Sequence, residues 1–207
     1  MARRKISRRR AVTSILALGG VTFGLVARVN GERSSNLPVD RIRPPGALRE
    51  AEFLGACVRC GLCVQACPYD TLHLAELSPL LPTGTPYFTA RDTPCHMCAT
   101  IPCAAACPTG ALQLSTINAA AMGLAELSTP ERCHSYTGAA YCNSCYQACP
   151  LKGQAIHMQP GRTLRGGNFR PVVNADYCTG CGLCEAACVL QGDAAITVRA
   201  ANHATRR

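Results

Sequence analysis

Sixteen cysteines divide without remainder into four groups of four, and this arrangement constrains the chain more than any other feature. The groups are Cys57, Cys60, Cys63 and Cys67; Cys95, Cys98, Cys103 and Cys107; Cys133, Cys142, Cys145 and Cys149; and Cys178, Cys181, Cys184 and Cys188. The first reads C-x2-C-x2-C-x3-C-P, the spacing by which cubic 4Fe–4S clusters are held. Three cysteines wrap a tight loop around one cube, and the fourth, before proline, points to a neighbouring cube. The spacing therefore predicts that all sixteen cysteines are iron ligands of four 4Fe–4S clusters, in two modules that each exchange fourth ligands. Small residues at Gly61, Gly180 and Gly182 let the backbone approach the cube and donate N–H groups to sulfur.

The other runs depart from the first in instructive ways. The second is C-x2-C-x4-C-x3-C-P and the third C-x8-C-x2-C-x3-C-P, so each adds loop without losing a ligand. The fourth is regular but ends Cys188-Val189, where the others have Pro68, Pro108 and Pro150. A zinc ribbon sets two C-x2-C knuckles a dozen or more residues apart, which is not this density. Closely repeated C-x2-C pairs are also poorly placed for eight disulfides. A thioredoxin-like site needs one isolated pair in a βαβ setting. With sixteen positions filled by Cys, His73, His96, His134 and His157 read as surface or outer groups. No phosphate loop or nucleophile–base pair stands out, so the chain is expected to be a carrier without a substrate site or catalytic residue of its own.

Composition agrees. The chain has 207 residues, no Trp and four Phe; without its cysteines only about two-fifths is apolar, below the usual share. Small, thin cores need staples, and here cluster binding and folding should be one event. The formal charge of +9 resides largely at the N-terminus, where residues 1–10 hold six Lys/Arg and no acid. Beyond Ala27, fifteen basic residues face twelve acidic ones. Once about −2 per oxidised four-thiolate cluster is counted, the balance becomes negative. No nucleic-acid partner is implied.

Residues 1–27 read as an export signal: a basic start, then an uncharged apolar run from Ala11 to Ala27. Ser7-Arg8-Arg9-Arg10 matches the opening of a twin-arginine motif, although Ala11-Val12-Thr13 does not reproduce its end. Export through the twin-arginine translocase delivers a folded, cluster-loaded protein, sparing its thiols from an oxidising compartment. Localisation is thus expected to be periplasmic. The seventeen-residue run sits at the lower limit for spanning a bilayer, so both a cleaved and a tethered form are open.

Residues 28–50 read as a polar, Pro-containing linker, 51–200 as tandem or nested ferredoxin-type domains, and 201–207 as a basic tail. Each run precedes a short apolar alternation, from Thr71, Ala111, Ala155 and Ala195, which predicts a small strand. The stretch GRTLRGGNFRP between the third and fourth runs reads as a loop. Its Arg162, Arg165 and Arg170 read first as solvated charges, with a docking patch for an acidic partner as the alternative. The expected fold is α+β: two ferredoxin-like two-cluster modules of short helices and small antiparallel strands. Modules could pair sequentially, first run with second and third with fourth, or nest, first with fourth and second with third. The regular runs lie at the ends, which favours nesting.

The chain resembles the NapG/MauM family of exported ferredoxin-type proteins. The likeness is carried by IRPPGAL at Ile42–Leu48, CVRCGLCVQACPYDTL at Cys57–Leu72 and GTPYFTARDTPCHMC at Gly84–Cys98. It continues through IPCAAACPTGAL at Ile101–Leu112, CNSCYQACPL at Cys142–Leu151 and CTGCGLCEAAC at Cys178–Cys188. The resemblance implies a periplasmic four-cluster electron carrier. Its partner would be a polytopic iron–sulfur membrane protein that oxidises quinol, and electrons would pass to a periplasmic reductase, of which nitrate reductase is favoured. The alternatives are a role in methylamine utilisation and an assembly or maturation factor with structural clusters. Similarity to other four-cluster electron-transfer subunits also points to nesting.

Overall fold

A cysteine run must bend tightly and then stop, so each element it generates is short. The computed structural model describes residues 37–77, 81–114, 121–163 and 166–201. The export signal, residues 28–36 of the linker, Arg165 and residues 202–207 of the tail lie outside the described residues. Four helices each carry one internal cysteine of a run. These are α2 (Leu62–Gln65), α3 (Pro102–Ala105), α5 (Ser144–Ala148) and α6 (Leu183–Ala186), of four or five residues each. Two others precede a run or lie inside one, α1 (Glu50–Ala56) and α4 (His134–Thr137). Such helices are too short to be stable alone, and tertiary packing must hold them.

Among the described residues, three two-stranded antiparallel sheets accompany the helices. β1 (His73–Leu74) pairs with β2 (Pro86–Tyr87). β3 (Gly123–Leu127) pairs with β6 (Ile196–Ala200), from Gly123 opposite Ala200 to Leu127 opposite Ile196. β4 (Ile156–Thr163) and β5 (Gly166–Val173) form a hairpin with Ile156 opposite Val173 and Thr163 opposite Gly166. The architecture is the α+β one of short helices and small antiparallel strands.

Local strand expectations met a mixed outcome. The alternations after the first, third and fourth runs become β1, β4 and β6. The one from Ala111 does not form a strand within its described part. Leu112 makes a single bridge to Ala47 instead, and the Leu48 N–H donates to Ala111 O at 3.1 Å. GRTLRGGNFRP is not a loop: apart from its two middle residues, which lie outside the described set, it belongs to β4 and β5.

Ile42, Phe53, Phe88, Ile101 and Ile196 are fully buried, and the core they join includes Cys63, Cys103, Cys181 and Cys184. Part of the expected linker belongs to this core. Ile42 and Phe88 exchange both backbone hydrogen bonds at 2.9 Å. Arg43 lies over the Phe53 ring, pairs with Glu50 and donates to Pro86 O at 2.7 Å.

Candidate metal centres

None of the sixteen cysteines is joined in a disulfide. Among the described residues no three of His, Cys, Asp and Glu converge closely enough to grip a single ion. The thiols instead line cavities, four to each. Cys57, Cys60, Cys63 and Cys107 line the first, and Cys67, Cys95, Cys98 and Cys103 the second. Cys149, Cys178, Cys181 and Cys184 line the third, and Cys133, Cys142, Cys145 and Cys188 the fourth. Each cavity holds the same donor set, four cysteine sulfurs in a mainly apolar lining, which suits four copies of one group.

This grouping corrects the expectation of nesting. The fourth cysteines are exchanged between first and second runs (Cys67 and Cys107) and between third and fourth (Cys149 and Cys188). The pairing is sequential. Its physical reason is the packing of α2 against α3 and of α5 against α6, which aims each trailing cysteine into its neighbour's cavity. The stretched gaps do not prevent this: Ile101 and Pro102 of the second run line the second cavity, and His134 of α4 lines the fourth.

The cavities form a spatial succession that differs from chain order. Cys63 and Cys67 stand near enough to Cys103 to repel its thiolate, which brings the first cavity beside the second. Cys95 N–H donates to Cys181 O at 2.8 Å, Thr179 Oγ1 donates to Met97 Sδ at 3.4 Å, and Met97 lines the third cavity. Cys145 in turn repels Cys184, joining the third cavity to the fourth. The order in space is first, second, third, fourth as numbered here, so the fourth run precedes the third.

Burial disfavours the thiolate at seven of these positions. Burial pushes Cys63, Cys95, Cys103, Cys145 and Cys181 up to about 11, with neighbouring thiolates adding to it. Burial raises Cys184 further and Cys149 less. Cys107 goes the other way: burial is outweighed by donors from Leu112, Thr109 and Ala111, and its thiol falls below the ordinary value. Four thiolates can share so small an apolar space only around a cationic centre. The donor set, four soft sulfurs per cavity, fits a 4Fe–4S cluster.

Backbone geometry completes the fit. Leu112 N–H donates to Cys107 Sγ and Ala125 N–H to Cys178 Sγ, each at 3.5 Å. Gly182, with φ +88°, opens α6, and a Cβ there would come within 2.7–2.8 Å of Ala90. His96 stacks on Tyr69 at 4.1 Å and borders the second cavity, and His134 borders the fourth. His73 meets Tyr87 at 6.2 Å, and His157 is exposed. Sequence reasoning missed Arg91, which donates to Glu185 O, Cys188 O and Leu190 O at 2.6–3.0 Å. It also missed the sulfur-directed amides, which carry no side-chain signature.

The model of the 4Fe-4S dicluster domain family matches residues 56–111, which hold the first two runs, and 140–191, which hold the last two apart from Cys133. The chain is 49% identical over 197 residues to the methylamine utilization ferredoxin-type protein MauM of Methylorubrum extorquens, covering 93% of this chain and 88% of the relative. It is 47% identical over 204 residues to MauM of Paracoccus denitrificans, covering 95% and 88%. The ferredoxin-type protein NapG of Escherichia coli is 50% identical over 184 residues, covering 85% and 76%. No solved structure matches the chain. Two dicluster matches and four four-cysteine cavities agree on a complement of four 4Fe–4S clusters. Together with identity near one-half along most of its length, they show that the chain belongs to the NapG/MauM family of ferredoxin-type 4Fe–4S electron-transfer proteins.

Proposed function

We propose that the sixteen cysteines ligate the four clusters, four to each cavity as grouped above, and that the protein is an exported periplasmic electron carrier. It accepts electrons from a polytopic iron–sulfur membrane protein that oxidises quinol and delivers them towards a periplasmic nitrate reductase system. The observation that carries this reading is the unbroken succession of four cysteine-lined cavities through one small domain. A bound 4Fe–4S cluster supplies one-electron uptake and release.

The chain's own residues do the rest. Sixteen thiolates fix the positions of the centres. Apolar linings such as Phe53, Ile101 and Ile156 keep water away, and the N–H groups of Leu112 and Ala125 aim positive charge at sulfur. No side chain is assigned an acid, base or nucleophile role. The twin-arginine reading of residues 1–27 supports export after folding. Among the described residues, no helix is long and apolar enough to cross a membrane.

A second reading, service in methylamine utilisation, is favoured by the fuller overlap with the MauM proteins of Methylorubrum extorquens and Paracoccus denitrificans. Quinol-dependent nitrate reduction in intact anaerobic cells, with and without the gene, separates the two. Loss of activity that the wild-type gene restores and a Cys181→Ala version does not is the expected result. Unchanged nitrate reduction with lost growth on methylamine would transfer the assignment to the second reading. Clusters that no quinol-linked donor can reduce would favour an assembly role instead.

A further inference from the structure

From Arg132 to Asn174 the chain carries five Lys/Arg and no Asp or Glu; Glu131 and Asp176 are the nearest acids in sequence. Elsewhere the charges are mixed: residues 37–114 hold five basic and six acidic residues. Among the described residues, Arg132, Lys152, Arg162 and Arg170 have no carboxylate partner; outside the segment Arg41, Arg43, Arg49 and Arg199 each have one, and Arg59 and Arg91 do not. The acid-free segment supplies three of the four cysteines of the fourth cavity, which stands at one end of the succession.

The long Cys133–Cys142 gap has a structural use here. It holds α4, onto which the β4–β5 hairpin is bolted. Ser135 Oγ donates to Phe169 O, and Asn168 Nδ2 donates to Ser135 O at 3.2 Å and Tyr136 O at 2.6 Å. The Arg170 guanidinium lies 4.8 Å from the Tyr136 ring and donates to Arg162 O at 3.2 Å. A Cβ on Gly161 would approach Arg170 Nε to 2.8 Å, so glycine makes the room for it. Arg170 is therefore a positioned cation, and little ordering is needed for it to meet an anion. The adjacent residue in the strand points to the opposite face, where Phe169, 43% exposed, shares the Arg162 side of the ribbon and meets Tyr141, 74% exposed, edge-on at 6.3 Å. Pro171 and His134, from the hairpin and α4, line the fourth cavity itself.

We propose that this platform, α4 with Tyr141 and the β4–β5 hairpin, docks an electron-transfer protein whose contact surface is acidic, and that electrons cross there at the fourth cavity. Basic charge with exposed aromatic anchors is the composition of a steered, transient protein interface. The inference rests on the ligation and carrier role proposed above. An anionic lipid surface is the competing occupant.

The test uses the cluster-loaded protein, reduced with dithionite and then freed of the excess reductant, and two probes with the same haem. One is native cytochrome c, with a basic surface, and the other is succinylated cytochrome c, with an acidic one. In each reaction one electron leaves the reduced protein and one ferric haem becomes ferrous. The wild type should reduce the succinylated probe faster at low salt. Arg162→Glu, at an exposed position, should slow this reaction, and Arg162→Glu/Arg170→Glu should slow it on the order of tenfold. The difference should shrink as salt shortens the screening length. Arg49→Glu, the same charge change in the first module, should leave the rate close to wild type. Equal slowing by Arg49→Glu, or unchanged rates in both hairpin variants, would overturn the proposal. So would hairpin variants that lose binding to phosphatidylglycerol vesicles while still reducing the succinylated probe normally. Iron content and cluster spectra are read first: a wild type without reducible clusters would indict the carrier reading, not the platform.

Discussion

The backbone N–H of Cys95 donates to the carbonyl oxygen of Cys181 at 2.8 Å, joining the cysteine loop of the second run to that of the fourth. Residues far apart in sequence are thus held by a main-chain bond at the boundary between the two modules. Arg91 reinforces it from the same side with bonds to Glu185 O, Cys188 O and Leu190 O. The modules meet through cysteine-run backbone, which puts the second and third cavities next to each other.

Arg91→Ala should weaken this boundary. Three hydrogen bonds at about 1 kcal/mol each suggest a loss of about 3 kcal/mol. For a chain of this size that corresponds to a fall of about 6–12 °C in the midpoint of thermal bleaching. Visible absorbance of the loaded protein against temperature measures it, and an unchanged midpoint would remove Arg91 from the account.

The sequential ligation proposed above makes a sharp prediction for double variants. Cys133→Ala/Cys188→Ala removes two ligands from one cavity, so iron should fall by about four atoms per chain, one cluster's worth. Cys57→Ala/Cys188→Ala strikes two cavities, and about eight atoms should go. Nested pairing would put Cys57 and Cys188 at one cluster and reverse the two results. Iron and acid-labile sulfide assays on the purified variants decide it.

Arg43 and Glu50 form a nearly dry ion pair, with side chains 7% and 9% exposed. Removing one partner strands the other, so Glu50→Ala should cost about 3–5 kcal/mol. Arg43→Met/Glu50→Leu should recover most of that, because two apolar groups leave no buried charge. Urea unfolding of the loaded protein, followed by cluster absorbance, compares them. A double variant no better than the single would show that the Arg43 bond to Pro86 O matters more than the pair.

Two glycines with similar left-handed backbones should differ widely on substitution. Gly180 has φ +73°, and a Cβ there would overlap the backbone of Gly123, which cannot swing aside as a side chain can. Gly110 has φ +69° and open space around it. Gly110→Ala should cost about 1–2 kcal/mol, the left-handed penalty alone. Gly180→Ala adds overpacking of about 1–3 kcal/mol and should yield protein poor in iron at the third cavity. Equal stabilities by urea titration would contradict the close approach.

Cofactor type, number of centres and the α+β class were legible because iron ligation is local. A C-x2-C-x2-C-x3-C run states its chemistry within about a dozen residues. Short helices and the strands at Leu74, Ile156 and Ile196 followed from equally local signals. The hairpin of Ile156–Thr163 and Gly166–Val173 was not legible, because Pro160, Gly161, Gly166, Gly167 and Pro171 look like breakers. In an exposed two-stranded ribbon they are tolerated, since few donors there need partners.

By itself the sequence determined which atoms can meet iron and how many clusters they can serve. Tertiary structure alone decided which runs place their fourth cysteines in one another's cavities, sequential where nesting was expected, and the order in which the cavities stand. Both depend on the packing of α2 on α3 and of α5 on α6, and on the Cys95–Cys181 bond. Those contacts join segments tens of residues apart, and no spacing within a run encodes them.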